Sequence, residues 1–269
     1  FIQALSNYGY DAFLSNVCRP QKSSKVIIVD IDEESLARIG QFPWPRFQMA
    51  KLTDKILTNG AAAVGFDIVF PERDRTSPAK ILGDIKEYFQ LDVTIQGLPE
   101  KISDYDLLFS DALKNDRTIL GCFMVPMDYT TTELDMSIDP NYKEYLKPFG
   151  PQDISVFDLI FQAKDITISI PVLQGVTDRA FFNATPDPDN IVRSNPLIWA
   201  FGDRIYPSLA LEAIRIAKKI PWGKILFNEQ GITEVVLGKN EIRIPTDQLG
   251  RLVVNYRTAK ENRSGMFSS

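Results

Sequence analysis

Two apolar runs separated by one helix-length segment constrain the fold of this chain more than any other feature. Residues 25–31 and 61–70 are rich in aliphatic and β-branched side chains and lack the alternation of a half-exposed strand. Such runs indicate strands that are buried on both faces of a parallel sheet. Residues 46–59 between them show helical spacing, with Pro45 at the start and Gly60 at the end. We therefore expect a right-handed βαβ unit.

The remainder of the chain alternates between helical and strand patterns. Residues 187–190 (Asp-Pro-Asp-Asn) form a predicted turn, because Asp and Asn tolerate the left-handed backbone conformation. The predicted helices span 1–16, 33–39, 79–89, 104–114 and 207–217, and the predicted strands span 118–124, 179–185, 191–199, 233–237, 241–244 and 252–255. The predicted fold class is α/β, with a mixed sheet, an N-terminal parallel βαβ portion, C-terminal antiparallel strands and helices packed on the sheet.

The predicted organisation is one domain preceded by a helical entry segment. Residues 1–24 form the entry segment, and residues 25–269 form the domain. Within it, residues 126–153 are polar, rich in Tyr, Thr and Pro, and without clear periodicity. A loop of that length is usually a functional excursion or locally variable, so we assign it no regular structure.

Composition excludes several classes of function. The chain of 269 residues has no histidine, which removes Ser/His/Asp and Cys/His triads and the usual transition-metal sites. A net charge of −5 leaves no basic surplus for nucleic acid. Cys18 and Cys122 are too few for a zinc site, and we expect two unpaired thiols, one of them buried. No cofactor-binding motif is present, and no cofactor is predicted.

Acidic residues at the ends of the two apolar runs have two interpretations. Asp30 and Asp32 lie at the end of the first run, and Asp67 lies toward the end of the second. Because the carboxyl ends of parallel strands share one edge, three carboxylates there suit a hard cation such as Mg²⁺ or Ca²⁺. Alternatively, Asp32 caps the helix that begins at residue 33, and Asp30 or Asp67 pairs with Arg46.

Several motifs, taken in order, resemble the CHASE type-two domain, a sensory extracellular domain associated with cyclases and histidine kinases. They are the segments 28–32, 40–46 (with Pro43-Trp44-Pro45-Arg46), 60–70, 187–193 and 206–210 (Tyr206-Pro207-Ser208-Leu209-Ala210). The resemblance covers roughly residues 25–267. The recurrent positions of the family correspond here to Asp30, Asp32, Pro43, Arg46, Asp67, Asp189, Arg193, Pro207 and Ser208, and Tyr206 belongs to the same motif. One departure is Asn190, where the family usually has Gly, although Asn also accepts positive φ.

The resemblance implies a non-catalytic sensory domain on the extracytoplasmic face of an inner or plasma membrane. It implies that residues 1–16 continue a transmembrane helix and that further transmembrane helices follow the domain. The partner implied in this way is a cytoplasmic histidine kinase, Ser/Thr kinase or nucleotide cyclase. We further expect an unidentified small-molecule or protein stimulus and signalling through a homodimer, and the net charge of −5 argues against nucleic acid.

Two alternative functions remain open on the residues alone. One is a metal-dependent hydrolase that uses Asp30, Asp32 and Asp67, although no accompanying nucleophile or general base is evident. The other is a module that binds a periplasmic protein through the loop at 126–153.

Overall fold

The computed structural model of the protein describes residues 2–17, 25–127, 142–239 and 242–256. The α-helices are α1 Ile2–Val17, α2 Glu33–Ile39, α3 Arg46–Thr58, α4 Pro78–Phe89, α5 Tyr105–Leu113, α6 Pro171–Gln174 and α7 Leu209–Ala217. The strands are β1 Val64–Phe66, β2 Thr118–Pro126, β3 Leu146–Phe149, β4 Ala163–Thr167, β5 Asp178–Phe181, β6 Ser194–Pro196, β7 Ile198–Phe201, β8 Arg204–Pro207, β9 Gly223–Asn228, β10 Gly231–Leu237, β11 Ile242–Pro245 and β12 Arg251–Val253. The predicted fold class, mixed α/β with parallel and antiparallel strands, is confirmed.

The chain divides into two compact units. An N-terminal unit combines residues 1–44 with residues 253–269, and a larger central unit contains residues 45–252. Much of the loop predicted at 126–153 lies outside the described residues, but residues 146–149 of it form β3. No helix in the described ranges has the length and apolarity needed to cross a membrane.

The N-terminal unit contains α1, α2 and an extended segment in which one prediction is wrong. Residues 25–31 do not form a buried strand: Val26 and Ile27 are 63% and 72% exposed, and Ile28 makes an isolated β-bridge. The composition of a run shows how apolar it is, but it does not show whether neighbouring strands cover that run. The predicted βαβ unit therefore does not form between residues 25–31 and 61–70.

The central unit is built around β2, the longest strand of its sheet. β1 and β5 pair in parallel with the first half of β2, and β4 pairs antiparallel with its second half. The parallel partner of β1 is thus the strand that follows α4 and α5. Gly121 permits this close packing, because a Cβ atom there would lie 2.4 Å from the Phe66 carbonyl oxygen and 2.7 Å from the Phe182 ring.

A second sheet has the order β11-β10-β9-β3, in which β3 pairs in parallel with β9 and the other pairs are antiparallel. Buried side chains of this sheet, among them Ile225, Val235 and Leu237, belong to one apolar cluster. The strands predicted at 233–237 and 241–244 are confirmed within one or two residues by β10 and β11. β9 was not predicted, although its burial alternates as expected for a strand.

The predicted hairpin between residues 179–185 and 191–199 is wrong in its pairing. Its first strand, β5, pairs in parallel with β2, and β6 pairs with β12. An antiparallel hairpin lies further along the chain, where β7 and β8 flank the two-residue turn Gly202-Asp203, with Gly202 at φ +60°. A Gly-Asp pair between two apolar runs is a hairpin signal, so this one was available in the sequence.

Candidate functional site

Asp32 is a helix cap. It is the N-cap of α2, and its Oδ1 accepts hydrogen bonds from the Ser35 backbone N–H at 2.9 Å and from the Ser35 hydroxyl at 2.7 Å. These bonds favour the carboxylate and lower the pKa of Asp32. The capping interpretation is confirmed for this residue, while Asp30 lies exposed on the preceding segment.

Asp67 directly follows β1 and is exposed at the surface of the central unit. Partial desolvation raises the pKa of its carboxyl group. Within the described part of the chain, no three or more His, Cys, Asp and Glu side chains are grouped so that they could hold a metal ion. The metal-binding interpretation of Asp30, Asp32 and Asp67 stays a prediction, and the structure adds no support to it.

Arg46 lies at the start of α3 and is 7% exposed. The predicted pairing with Asp30 or Asp67 is replaced by one with Asp106 in the first turn of α5, where Arg46 Nε lies 3.6 Å from Asp106 Oδ1. The guanidinium also stacks 4.3 Å from the centre of the Phe70 ring, and one of its Nη atoms donates to the Glu72 carbonyl at 3.4 Å. Among the residues that the structure describes, neither Arg46 Nε nor Asp106 Oδ1 has a hydrogen-bond partner.

Two buried aspartates complete this site, and the sequence did not single them out. Asp74 Oδ2 accepts from the backbone N–H of Arg46 at 2.5 Å, and Asp106 Oδ2 accepts from the backbone N–H of Asp74 at 3.0 Å. Desolvation raises the pKa of Asp106, although the backbone bond and the Arg46 charge oppose it, and desolvation lowers the pKa of Arg46. No residue pattern separates buried Asp106 from exposed Asp111 on the same helix. We call Arg46, Asp74 and Asp106 the α3–α5 ion cluster.

Arg193 is held by the turn that precedes it. Its guanidinium donates to Asp187 Oδ2 at 3.0 Å and to both oxygens of Asp189, at 2.9 and 2.8 Å. Asn190 takes the predicted positive φ of 63°, and its N–H closes the turn onto the Asp187 carbonyl. Hydrogen bonding to Arg193 lowers the pKa of Asp189. We call Arg193, Asp187 and Asp189 the turn clamp.

Tyr206 and Ser208 are both buried around the start of α7. Ser208 is the N-cap of α7, and its hydroxyl accepts from the Leu211 N–H at 3.3 Å. Tyr206 stacks on Tyr142 with ring centres 4.3 Å apart and planes inclined by 16°. Burial raises the pKa of Tyr206. Both residues therefore have structural contacts that explain their place in the motif.

Cys122 is a free thiol inside the central unit, and burial raises its pKa to about 12. A thiol with that pKa is almost fully protonated at neutral pH and is a poor nucleophile. Cys18 lies outside the described residues. The motif residues Arg46, Arg193, Tyr206 and Ser208 are all buried.

Comparison with known proteins gives one family. The family model described as CHASE2 domain matches residues 1–268. No curated protein and no solved structure matches the chain.

Proposed function

The chain belongs to the CHASE2 family of sensory domains, which are typically extracellular in receptors, and from this premise we propose that it is the extracytoplasmic input domain of a transmembrane receptor. The family match over residues 1–268 is the observation that carries the proposal. The cytoplasmic output is a histidine kinase, a Ser/Thr kinase or a nucleotide cyclase. The flanking segments cross the membrane, and the receptor works as a homodimer.

The N-terminal unit supports the proposed membrane connection. It contains α1 as well as residues 253–256, and the Tyr10 hydroxyl of α1 donates to the Val254 carbonyl at 2.6 Å. The segment that enters the domain and the segment that leaves it are therefore bonded to each other. We propose that a movement of α1 displaces residues 253–256, as is needed in a receptor with membrane helices on both sides of its input domain.

The α3–α5 ion cluster supplies an adjustable contact for such a receptor. Arg46 Nε and Asp106 Oδ1 are buried and face each other at 3.6 Å, beyond ordinary hydrogen-bond distance. A small shift of α5 along α3 would shorten or lengthen this contact, and we propose that signalling uses such a shift.

Sidedness is tested by labelling intact cells that produce the full-length receptor with a membrane-impermeant maleimide. Tyr88 is 74% exposed, so Tyr88→Cys in a Cys18→Ser background adds one accessible thiol to the receptor, and the Cys18→Ser receptor with its buried Cys122 is the matched control. Labelling of the introduced thiol before lysis is expected. Labelling only after the membrane is opened would contradict an extracytoplasmic position.

Sensing is tested on the same receptor in reconstituted membranes. Replacing residues 45–252 with a flexible linker is expected to abolish the dependence of output on stimulus, and Tyr10→Phe is expected to weaken it while the central unit stays folded. Unchanged output of both variants under every stimulus would contradict the proposal.

A further inference from the structure

Residues 86–97, which run from the last turn of α4 into the following loop, are exposed along their whole length. Large apolar side chains lie among them: Phe89 is 69% exposed, Leu91 57%, Val93 44% and Ile95 50%. Exposed apolar side chains that occur singly are ordinary, but a contiguous group of them marks a contact with another molecule.

The sequence of residues 91–95 has the pattern of a β-strand. Leu91, Val93 and Ile95 alternate with the polar residues Asp92 and Thr94, so an extended chain places the three apolar side chains on one face. The structure has no helix or strand at these residues, and within the described part of the chain no backbone hydrogen bond is made by residues 91–97. The N–H and C=O groups of this segment are therefore available to a strand of another chain.

The segment also reads alike in both directions. Residues 90–96 are Gln-Leu-Asp-Val-Thr-Ile-Gln. In an antiparallel pair with a two-fold axis at Val93, Leu91 of one copy faces Ile95 of the other, and Val93 faces its own counterpart. Asp92 faces Thr94, whose hydroxyl can donate to the carboxylate. A contact between two copies about a two-fold axis requires a self-complementary surface of this kind.

The neighbouring registers fit less well. An axis at Asp92 sets two carboxylates directly opposite each other, which is destabilising. An axis at Thr94 leaves Leu91 opposite Gly97, which has no side chain and a φ of +76°. Of the three registers, the one centred on Val93 gives every apolar residue of the segment an apolar neighbour and leaves no like charges opposed. A foreign peptide would require no such symmetry, so the pattern favours a second copy.

We infer that residues 91–95 of two copies of this chain pair as antiparallel strands about a two-fold axis at Val93. A fully buried Phe removes roughly 150–250 Å² of surface from water and a Leu, Ile or Val roughly 60–120 Å², so at their exposed fractions Phe89, Leu91, Val93 and Ile95 supply roughly 200–350 Å² of apolar surface per copy. Because a little over half of a typical interface is apolar, the whole contact is roughly 350–600 Å² per copy. That area is at the low end for specific interfaces and fits a weak, reversible dimer.

Two paired strands are marginally stable by themselves and need cover on their apolar face. Phe89 is the last residue of α4, and Gln90 then turns the chain with a left-handed φ of 59°. The Phe89 ring of each copy supplies that cover. The inference rests on the proposed receptor homodimer and deepens it by naming the contact surface. A weak contact suffices there, because anchoring both copies in one membrane raises their effective concentration.

Disulfide cross-linking tests the register, in the chain of residues 1–269 with Cys18→Ser. Residues directly opposite each other in an antiparallel pair have Cα atoms about 4.5–5.5 Å apart, inside the range of about 4.4–6.8 Å that a disulfide needs. Val93→Cys is therefore expected to give a linked dimer on mild oxidation. Thr94→Cys is the matched control, because the two copies of residue 94 lie about 8 Å apart in this register. Cys122 is buried in every variant.

A mixing experiment tests the same register with two further variants. Leu91→Cys and Ile95→Cys are expected to link to each other when the two proteins are mixed, and neither is expected to link to itself. Equal linking of Val93→Cys and Thr94→Cys would overturn the inference. Self-linking of Leu91→Cys or Ile95→Cys as readily as in the mixture would overturn it too.

Sedimentation equilibrium measures the strength of the contact. Val93→Asp sets two carboxylates face to face and is expected to raise the Kd of the dimer about tenfold or more. Thr94→Lys is the control in the same segment, because it sets an ammonium opposite Asp92 of the second copy and should leave Kd unchanged or lower it. Both positions are exposed, so the melting temperature is expected to stay near that of the wild type. If either variant unfolds, the cross-linking variants decide the question.

Three results would overturn the inference in this experiment. The first is the absence of a dimer at millimolar protein, and the second is a dimer that forms equally well in Val93→Asp. The third is protection of the amides of residues 91–95 from hydrogen exchange in a chain that stays monomeric, which would place the strand partner within the same chain.

The full-length receptor in membranes distinguishes the failure of this inference from that of the proposed function. Linking of Val93→Cys together with an altered stimulus response in Val93→Asp supports both. Linking of Val93→Cys in a protein whose output responds to no stimulus keeps the contact and contradicts the sensory function. An output that responds to stimulus in a receptor that does not link through residue 93 supports the receptor and overturns the contact.

Discussion

Arg46 and Arg193 are equally buried, 7% exposed each, yet they are held in different ways. The fork of Arg193 makes hydrogen bonds of 2.8 to 3.0 Å with Asp187 and Asp189. Arg46 has one carboxylate at 3.6 Å, one long bond to a carbonyl and an aromatic ring beneath it. Equal burial therefore does not mean equal restraint. The turn clamp fixes a loop in one geometry, whereas the α3–α5 ion cluster joins two helices through a bond that is incompletely made.

Arg193 and Arg46 are held differently because their acidic partners lie on different kinds of element. Asp187 and Asp189 lie on the same turn as Arg193, within six residues, so local backbone geometry places them. Asp106 is sixty residues from Arg46 and on another helix, so its distance depends on how α3 and α5 pack. Bidentate pairs within one turn are strong and specific, while a buried pair between elements also pays for its desolvation.

Removing the carboxylate of the α3–α5 ion cluster should have the largest effect on stability. Asp106→Ala leaves the Arg46 cation buried with only Asp74 nearby, and we expect a loss of about 3–5 kcal/mol in the free energy of unfolding. Urea unfolding measures it. The double variant Arg46→Met with Asp106→Leu should lose less than Asp106→Ala alone, because the buried cation is removed with its partner, while Asp74 keeps its hydrogen bonds from the backbone N–H groups of residues 46 and 76. A double variant that loses the sum of both single variants would contradict this description of the pair.

Removing the fork of the turn clamp should have the next largest effect. Arg193→Ala removes the guanidinium bonds to Asp187 and Asp189, although Asp189 keeps the Ile191 N–H and Asp187 keeps Arg251 at 4.0 Å, and we expect a loss of about 1.5–3 kcal/mol. Arg193→Lys should recover only part of it, because an ammonium cannot make the bidentate pair. Full recovery by lysine in the same urea experiment would show that charge alone, and not the fork, holds the turn.

The two sites should respond to acid in opposite directions. The pKa of Asp189 is lowered in the folded protein, so its contribution to stability is present above about pH 4 and is lost as pH falls through the folded value. The pKa of Asp106 is raised, so its contribution is present below about pH 4 and is lost as pH rises through the folded value. The stability of Asp189→Asn should fall less steeply between pH 5 and pH 2.5 than that of the wild type, and that of Asp106→Asn more steeply. Stability is measured as the midpoint of urea unfolding at each pH. Equal slopes of midpoint against pH in the wild type and both variants would contradict the opposite roles of Asp189 and Asp106.

The smallest effect is expected at Asp32, which serves as a helix cap. Asp32→Ala should increase hydrogen exchange at the Ser35 amide and leave the unfolding of the central unit unchanged, while Asp32→Asn keeps the cap and most of the protection. A melting temperature that rises with added Ca²⁺ or Mg²⁺ in the wild type and not in Asp32→Asn would instead support the metal-binding interpretation.

The sequence predicted the elements of this fold better than their partners. Helices α3, α4, α5 and α7 and the strands β2, β10 and β11 lie within a few residues of their predicted bounds, because periodicity and capping are local. Residues 25–31 have the composition of a buried strand and are exposed, and β5 pairs with β2 instead of with the segment after its turn. Pairing depends on residues far apart in the chain, which local patterns do not report.

In the candidate site, too, local features were predicted correctly and contacts between distant residues were not. The Asp32 cap and the positive φ of Asn190 follow from residue type and neighbouring residues, and both are confirmed. The partner of Arg46 was predicted wrongly, because Asp106 becomes its neighbour only after α3 and α5 have packed. Resemblance to the family identified Arg46 and Arg193 without saying that one is firmly held and the other is not. That distinction required interatomic distances.

The output of the full-length receptor, measured for Arg46→Lys and Arg193→Lys side by side in reconstituted membranes, tests the central claim most directly. Lysine keeps the charge at both positions and alters the bonding geometry at each. If the α3–α5 contact is the adjustable one, Arg46→Lys changes the basal output or the stimulus response, and Arg193→Lys leaves the output per folded receptor unchanged. The same change in both variants, or a change confined to Arg193→Lys, would contradict the account.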